Sequence, residues 1–131
     1  MISLQYRGMG LRILPLIVGI VSCTSVLYIP ENLSPAELIQ KGQEASDRNR
    51  YKHSLQYYEA IIERYPSYID EVCAVEYEIA FIHYKQKHYE LAKYEFQALL
   101  SRYDSPDAEL LPLQFKKLTE LVLAKIAAKE H

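Results

Sequence analysis

Tryptophan is absent from this 131-residue chain, glycine occurs four times and cysteine twice. Each shortage excludes something. The glycines, Gly8, Gly10, Gly19 and Gly42, nowhere form a loop motif beyond residue 23, so no phosphate-cradling turn is written into the chain. Scarce glycine, with Ala, Leu, Glu and Lys plentiful after residue 34, favours an all-helical chain. Two cysteines make no disulfide framework, and Cys73, set among Val72, Ala74 and Val75, reads as a small buried hydrophobe rather than a reactive thiol. Basic residues number 15 against 17 acidic ones, without a basic stripe for nucleic acid and without a polybasic run for anionic lipid. His83 and His88 are five apart, about 140° around a helix, and do not share a metal-binding face. No nucleophile elbow occurs. The expectation is a non-enzymatic protein with no metal and no cofactor.

Charge is also missing from Ile13 to Pro30, an 18-residue stretch just short of the ~20 that a spanning helix needs. A transmembrane anchor is one reading of it. Against that reading, "ILPLIVGIV" ends at Val21, is weakened by Pro15 and Gly19, and gives way to Ser22, Cys23, Thr24 and Ser25. The other reading is a signal peptide over 1–22, with Arg7 and Arg12 before the apolar stretch and small Ser22 at the cleavage position. Its removal leaves 13 basic against 17 acidic residues, a net charge of −4. The tetrapeptide "IVSC" resembles a bacterial lipobox, with Ile20 and Val21 where Leu and a small residue are usual. That resemblance implies a lipidated Cys23 and a tether over 23–33, two acyl chains forming a stable anchor where one is marginal.

Ser34, Pro35 and Glu37 in "SPAELIQKGQEA" form a capping box with proline at the first helical position. A break at "DRNRY" is followed by Tyr51, Leu55, Tyr58 and Ile62 at helical spacing until Pro66. The same pattern then recurs. "YKHSLQYYEAIIERYPS" and "YELAKYEFQALLSRYDS" align without a gap at a spacing of 38, which pairs Gly42 with Ala80, Ser54 with Ala92, Tyr58 with Phe96 and Tyr65 with Tyr103. Such internal recurrence marks an antiparallel helix-hairpin solenoid. A fifth, capping helix is expected within 107–131, where Leu111, Phe115, Leu118, Val122 and Ile126 share a stripe and Pro112 places the start.

Small residues in the first helix and twelve positions later, an aromatic four residues further on and a closing proline resemble the tetratricopeptide repeat family. Leu38, Gly42, Ser54, Tyr58, Ile61 and Pro66 carry the match in one copy. Ile79, Ala80, Ala92, Phe96 and Leu99 carry it in the next, with Asp104 in place of the proline and Pro106 two residues late. The resemblance implies about two and a half repeats, one over 34–66, a second over 67–106 and the cap, with the residues beyond the family's usual length falling between Pro66 and Glu71. It also implies a concave groove lined by the first helix of each pair. Here that assigns Ile39, Gln43 and Asp47 from one copy and Tyr77, Phe81, Tyr84 and Lys85 from the next. Two tyrosines and a phenylalanine beside a lysine make a hot-spot composition. Equally, the last helix covering the same stripe explains it as core.

More narrowly, a lipobox followed by "IIERYPS" and its copy is similar to the BamD-like outer-membrane assembly lipoproteins, although this chain has half their repeats. The expected function is a protein-binding scaffold, lipid-anchored in the bacterial cell envelope and facing the periplasm, whose groove takes another protein or peptide. An accessory of solute uptake, contacting a small ligand or a solute-binding protein, is the alternative.

Overall fold

The computed structural model describes residues 26–130. The stretch expected to be a signal peptide or span over 1–22, and Cys23 with its lipobox, lie outside the described residues. Within them the chain is all-α, with five helices, one short 3-10 turn and no strand.

The first helix, α1 (Pro35–Asp47), starts on the expected capping box: Glu37 N–H donates to Ser34 Oγ at 3.3 Å, and Ser34 N–H returns to Glu37 Oε2 at 2.8 Å. These bonds hold the Glu37 carboxyl below its ordinary range, the backbone donor of Ser34 first and its hydroxyl second. The chain leaves α1 through Asn49 at φ 56°, with Asn49 N–H on Ser46 O (2.9 Å) and Arg50 N–H on Ala45 O (2.8 Å). That pair of bonds is a Schellman motif, built without glycine. It reverses the chain into α2 (Tyr51–Arg64), antiparallel to α1 and ended by Tyr65 and Pro66.

The whole device recurs 38 residues later. Lys87 sits at φ 64°, its N–H on Tyr84 O (3.0 Å) and that of His88 on His83 O (2.9 Å), between α3 (Ile69–Lys85) and α4 (Tyr89–Arg102). The bounds of α4 are those of α2 moved by 38, and both members of the pairs Ser54 and Ala92, Tyr58 and Phe96, Ile61 and Leu99 are buried. The difference lies in α3, which has 17 residues against 13 in α1. The surplus, which the resemblance puts between Pro66 and Glu71, takes the form of one added helical turn, Ile69–Val72, with Asp70 and Glu71 favourably placed at the positive end of the helix dipole.

Close helix approach comes from the small residues. A Cβ on Gly42 would stand 2.8 Å from Tyr58 Cδ1 and 2.9 Å from Cζ, and Ser54 Oγ donates to Gly42 O at 2.7 Å. Helix α3 carries apolar residues on two sides because it serves two clusters. Val75 and Ile82 join Leu38, Tyr58 and Ile61 of the first hairpin, while Cys73, Tyr77 and Ala80 join Ala92, Phe96, Leu99, Val122 and Ile126 on the other side.

After the 3-10 turn Ala108–Leu110, α5 (Leu113–Lys129) begins directly behind Pro112 and packs on α4 and α3. Tyr103 Oη donates to Pro112 O at 2.8 Å, and Lys93 Nζ meets Glu130 at 3.0 Å. Its inward stripe is Phe115, Thr119, Val122 and Ile126; Leu118 is exposed and Leu111 is buried ahead of the helix. The reason is phase. With Leu111 outside the helix, Phe115, Val122 and Ile126 set the face, and Thr119 lies about 40° from its centre against about 60° for Leu118 on the other flank.

The expected tether over 23–33 is partly packed structure. Arg64 donates to Pro30 O (2.8 Å) and Ile29 O (3.1 Å), Tyr65 Oη donates to Leu33 O (2.7 Å), and Ile29 and Leu33 rest on the first cluster.

Candidate functional site

The residues expected to line a groove meet on the α1–α3 side of the molecule, with unequal access. Tyr77 is buried, its ring 5.6 Å from Phe96 and 5.9 Å from Phe115 of α5, so it belongs to the core and not to an open groove. Burial pushes its phenol up, with the Glu78 carboxylate adding to the shift. Phe81 and Tyr84 are half-buried. They continue a ladder in which Phe81 stacks on Tyr77 at 5.8 Å, Tyr84 on Phe81 at 5.7 Å, and Tyr89 follows at 5.7 Å. Two cations border it. Lys85 Nζ lies 5.1 Å from the Tyr51 ring and 5.4 Å from Phe81, and Lys129 Nζ lies 5.6 Å from Tyr89. From α1, Ile39 is half-buried while Gln43 and Asp47 are exposed.

Lys85 also bridges the two repeats, donating to Ser46 Oγ of α1 at 2.8 Å. Behind it stands Glu78, whose carboxyl is pushed above its ordinary range by burial first, and by Asp47, against the opposing pull of Lys85. The same seam raises the Tyr58 phenol to about 12, through burial and then the Glu78 charge. Glu76, two residues earlier, points elsewhere because two residues turn a helix by about 200°. It pairs with Arg102 of α4. Glu76 and Glu78 are thus two separate structural charges.

Between α2 and α4, a cleft of about 280 Å³ is floored by Ile62, Ile79, Ala98 and Leu99 and edged by the Glu76–Arg102 pair and by Tyr94, 71% exposed. Sequence reasoning missed this cleft. Its only sequence signal was Tyr94, a tyrosine beyond the needs of the repeat core. Beside it His83 Nδ1 lies 2.7 Å from Glu95 Oε2, and the His83 and His88 rings are 6.3 Å apart. The helical wheel separated these histidines. The Schellman turn folds His88 back over the last turn of α3, the contact that this motif commonly makes. Among the described residues no three metal-ligating side chains form a set that could hold an ion. Cys73 is fully buried and unbridged, and burial is the main cause that pushes its thiol up. No helix among the described residues is long and apolar enough to cross a membrane.

No family model and no solved structure matches the chain. An uncharacterized protein of Treponema pallidum (strain Nichols) is 30% identical over 98 residues, which cover 75% of this chain and 39% of that protein. The chain therefore spans about two fifths of the length of the relative it matches.

Proposed function

We propose that this chain is a non-enzymatic protein-binding scaffold of the tetratricopeptide-like kind, held at the periplasmic face of a bacterial membrane by its N-terminal segment, with Cys23 the lipidated residue. The observation that carries the binding role is the aromatic ladder Phe81–Tyr84–Tyr89, half-exposed and bordered by Lys85 and Lys129. Half-exposed aromatics beside fixed cations suit a peptide that brings apolar side chains and a carboxylate. The solenoid reading rests on the 38-residue recurrence of caps, helix bounds and buried positions, and membership of an outer-membrane assembly-type complex rests on the lipobox and repeat resemblance alone.

A photo-crosslinking residue at Gln43, which is exposed on the same side, tests the groove. It should capture a discrete partner from membranes of the native cell, whereas the same probe at Lys117 on the outer side of α5 should not. Capture at both positions or at neither would remove the groove from the account.

A further inference from the structure

No basic run exists along the chain, yet the fold assembles a basic cleft. Lys41 of α1, Arg48 and Arg50 of the α1–α2 turn and His53 of α2 line a hollow of about 240 Å³, with Glu44 as its only acid and Tyr57 as its aromatic wall. Among the described residues none of these four basic side chains forms an ion pair, and residues 1–25 contain no Asp or Glu that would supply one. The setting is unusual for a chain whose net charge is −2.

A second observation says what faces the cleft. Leu27 lines it, so the N-terminal segment passes along its edge, and the neighbours Val26 and Tyr28 are 82% and 83% exposed. Three peptide units separate Cys23 from Val26, a reach of at most about 11 Å. An acyl anchor on Cys23 holds the cleft within roughly one headgroup layer and one Debye length of the bilayer. The docked strap deepens this constraint. Arg64 and Tyr65 fasten Ile29, Pro30 and Leu33 to the helices, so the chain between anchor and domain is too short to let the domain swing away.

We propose that the Lys41–Arg48–Arg50–His53 cleft binds the phosphate of anionic phospholipid headgroups, while Val26 and Tyr28 enter the interface beside it, orienting the domain on its membrane. The proposal rests on the membrane-anchored reading above and adds lipid specificity and a fixed face to it. Cations and amphipathic aromatics next to exposed apolar residues are what the interfacial zone accommodates. Orientation follows because, apart from the cleft, the residues after 25 hold 16 acidic against 10 basic side chains, a balance that the same lipids repel.

The test uses the full chain in nanodiscs of phosphatidylcholine with and without phosphatidylglycerol, read by mass spectrometry after a dicarbonyl reagent that modifies arginine. Arg48 and Arg50 should react several-fold more slowly on the anionic discs, Arg102 equally on both. Lys41→Gln should weaken the protection roughly fivefold, as expected for one surface charge, with helicity checked by circular dichroism. Equal Arg48 and Arg50 rates on both compositions, in chain that stays on the discs, overturn the headgroup site and leave the anchor standing. Chain that leaves both kinds of disc overturns both readings. Inorganic phosphate that gives the same protection on neutral discs overturns the lipid assignment in favour of a soluble phosphate.

Discussion

Gly42 is the residue whose replacement the fold tolerates least for its size. Tyr58, fully buried, occupies the space a Cβ would need, and its ring is walled by Leu38 and Ile61 of the same cluster. Gly42→Ala should therefore cost about 2–3 kcal/mol by overpacking, visible as a lower urea midpoint at unchanged slope, although alanine is the better helix former. Glu78 carries the opposite expectation. Its raised pKa in the folded state means that folding is favoured while the carboxyl is protonated and loses that contribution as pH rises through the folded pKa. At neutral pH the ionised Glu78 is a net burden, so Glu78→Gln should melt higher than the parent at pH 7, and the difference should vanish as pH falls below the carboxylate range. A variant that is less stable at pH 7 would mean that Lys85, not burial, governs the site.

Helices and their turns were unevenly legible in the sequence, for physical reasons. Local signals sufficed for α1 and α2, where Ser34, Pro35 and Glu37 start one helix and Pro66 stops the other. The 38-residue recurrence extended that reading to α4. Hidden were the features set by neighbours or by left-handed backbone: the added turn Ile69–Val72, which no side chain caps, and the closeness of His83 to His88 across Lys87. Of the candidate groove, the ladder Tyr77–Phe81–Tyr84 was visible as a stripe, but burial of Tyr77 depends on Phe115 more than thirty residues away. The basic cleft was invisible because its members come from two helices and a turn. Lys87 at φ 64° supplies an element-scale prediction, since a side chain there opposes a conformation that glycine adopts freely. Lys87→Gly should raise stability by up to ~1 kcal/mol, and a loss would show that the side chain makes a contact outweighing the backbone strain. In α5, Thr119 is fully buried with its hydroxyl unpartnered. Thr119→Val should be stabilising by about 1 kcal/mol in denaturant melts; a destabilised variant would reveal a bond to an internal water.

At the scale of the whole molecule, α3 is the shared wall of two helix hairpins, Ile29–Leu33 is strapped onto the first of them, and the proposal is that the aromatic face looking outward past α1 and α5 takes the partner. Tyr84 decides it most directly. It is half-buried, stacked on Phe81 and in tilted contact with Tyr89, but not enclosed by α5 as Tyr77 is. Thermal melts of Tyr84→Ala should therefore fall only modestly, while quantitative copurification from detergent-solubilised native cells should show partner binding weakened by more than ~1 kcal/mol, about fivefold or greater. Unchanged copurification, or a core-sized loss of about 3–5 kcal/mol in stability, would contradict the claim that this face is where the scaffold takes its partner.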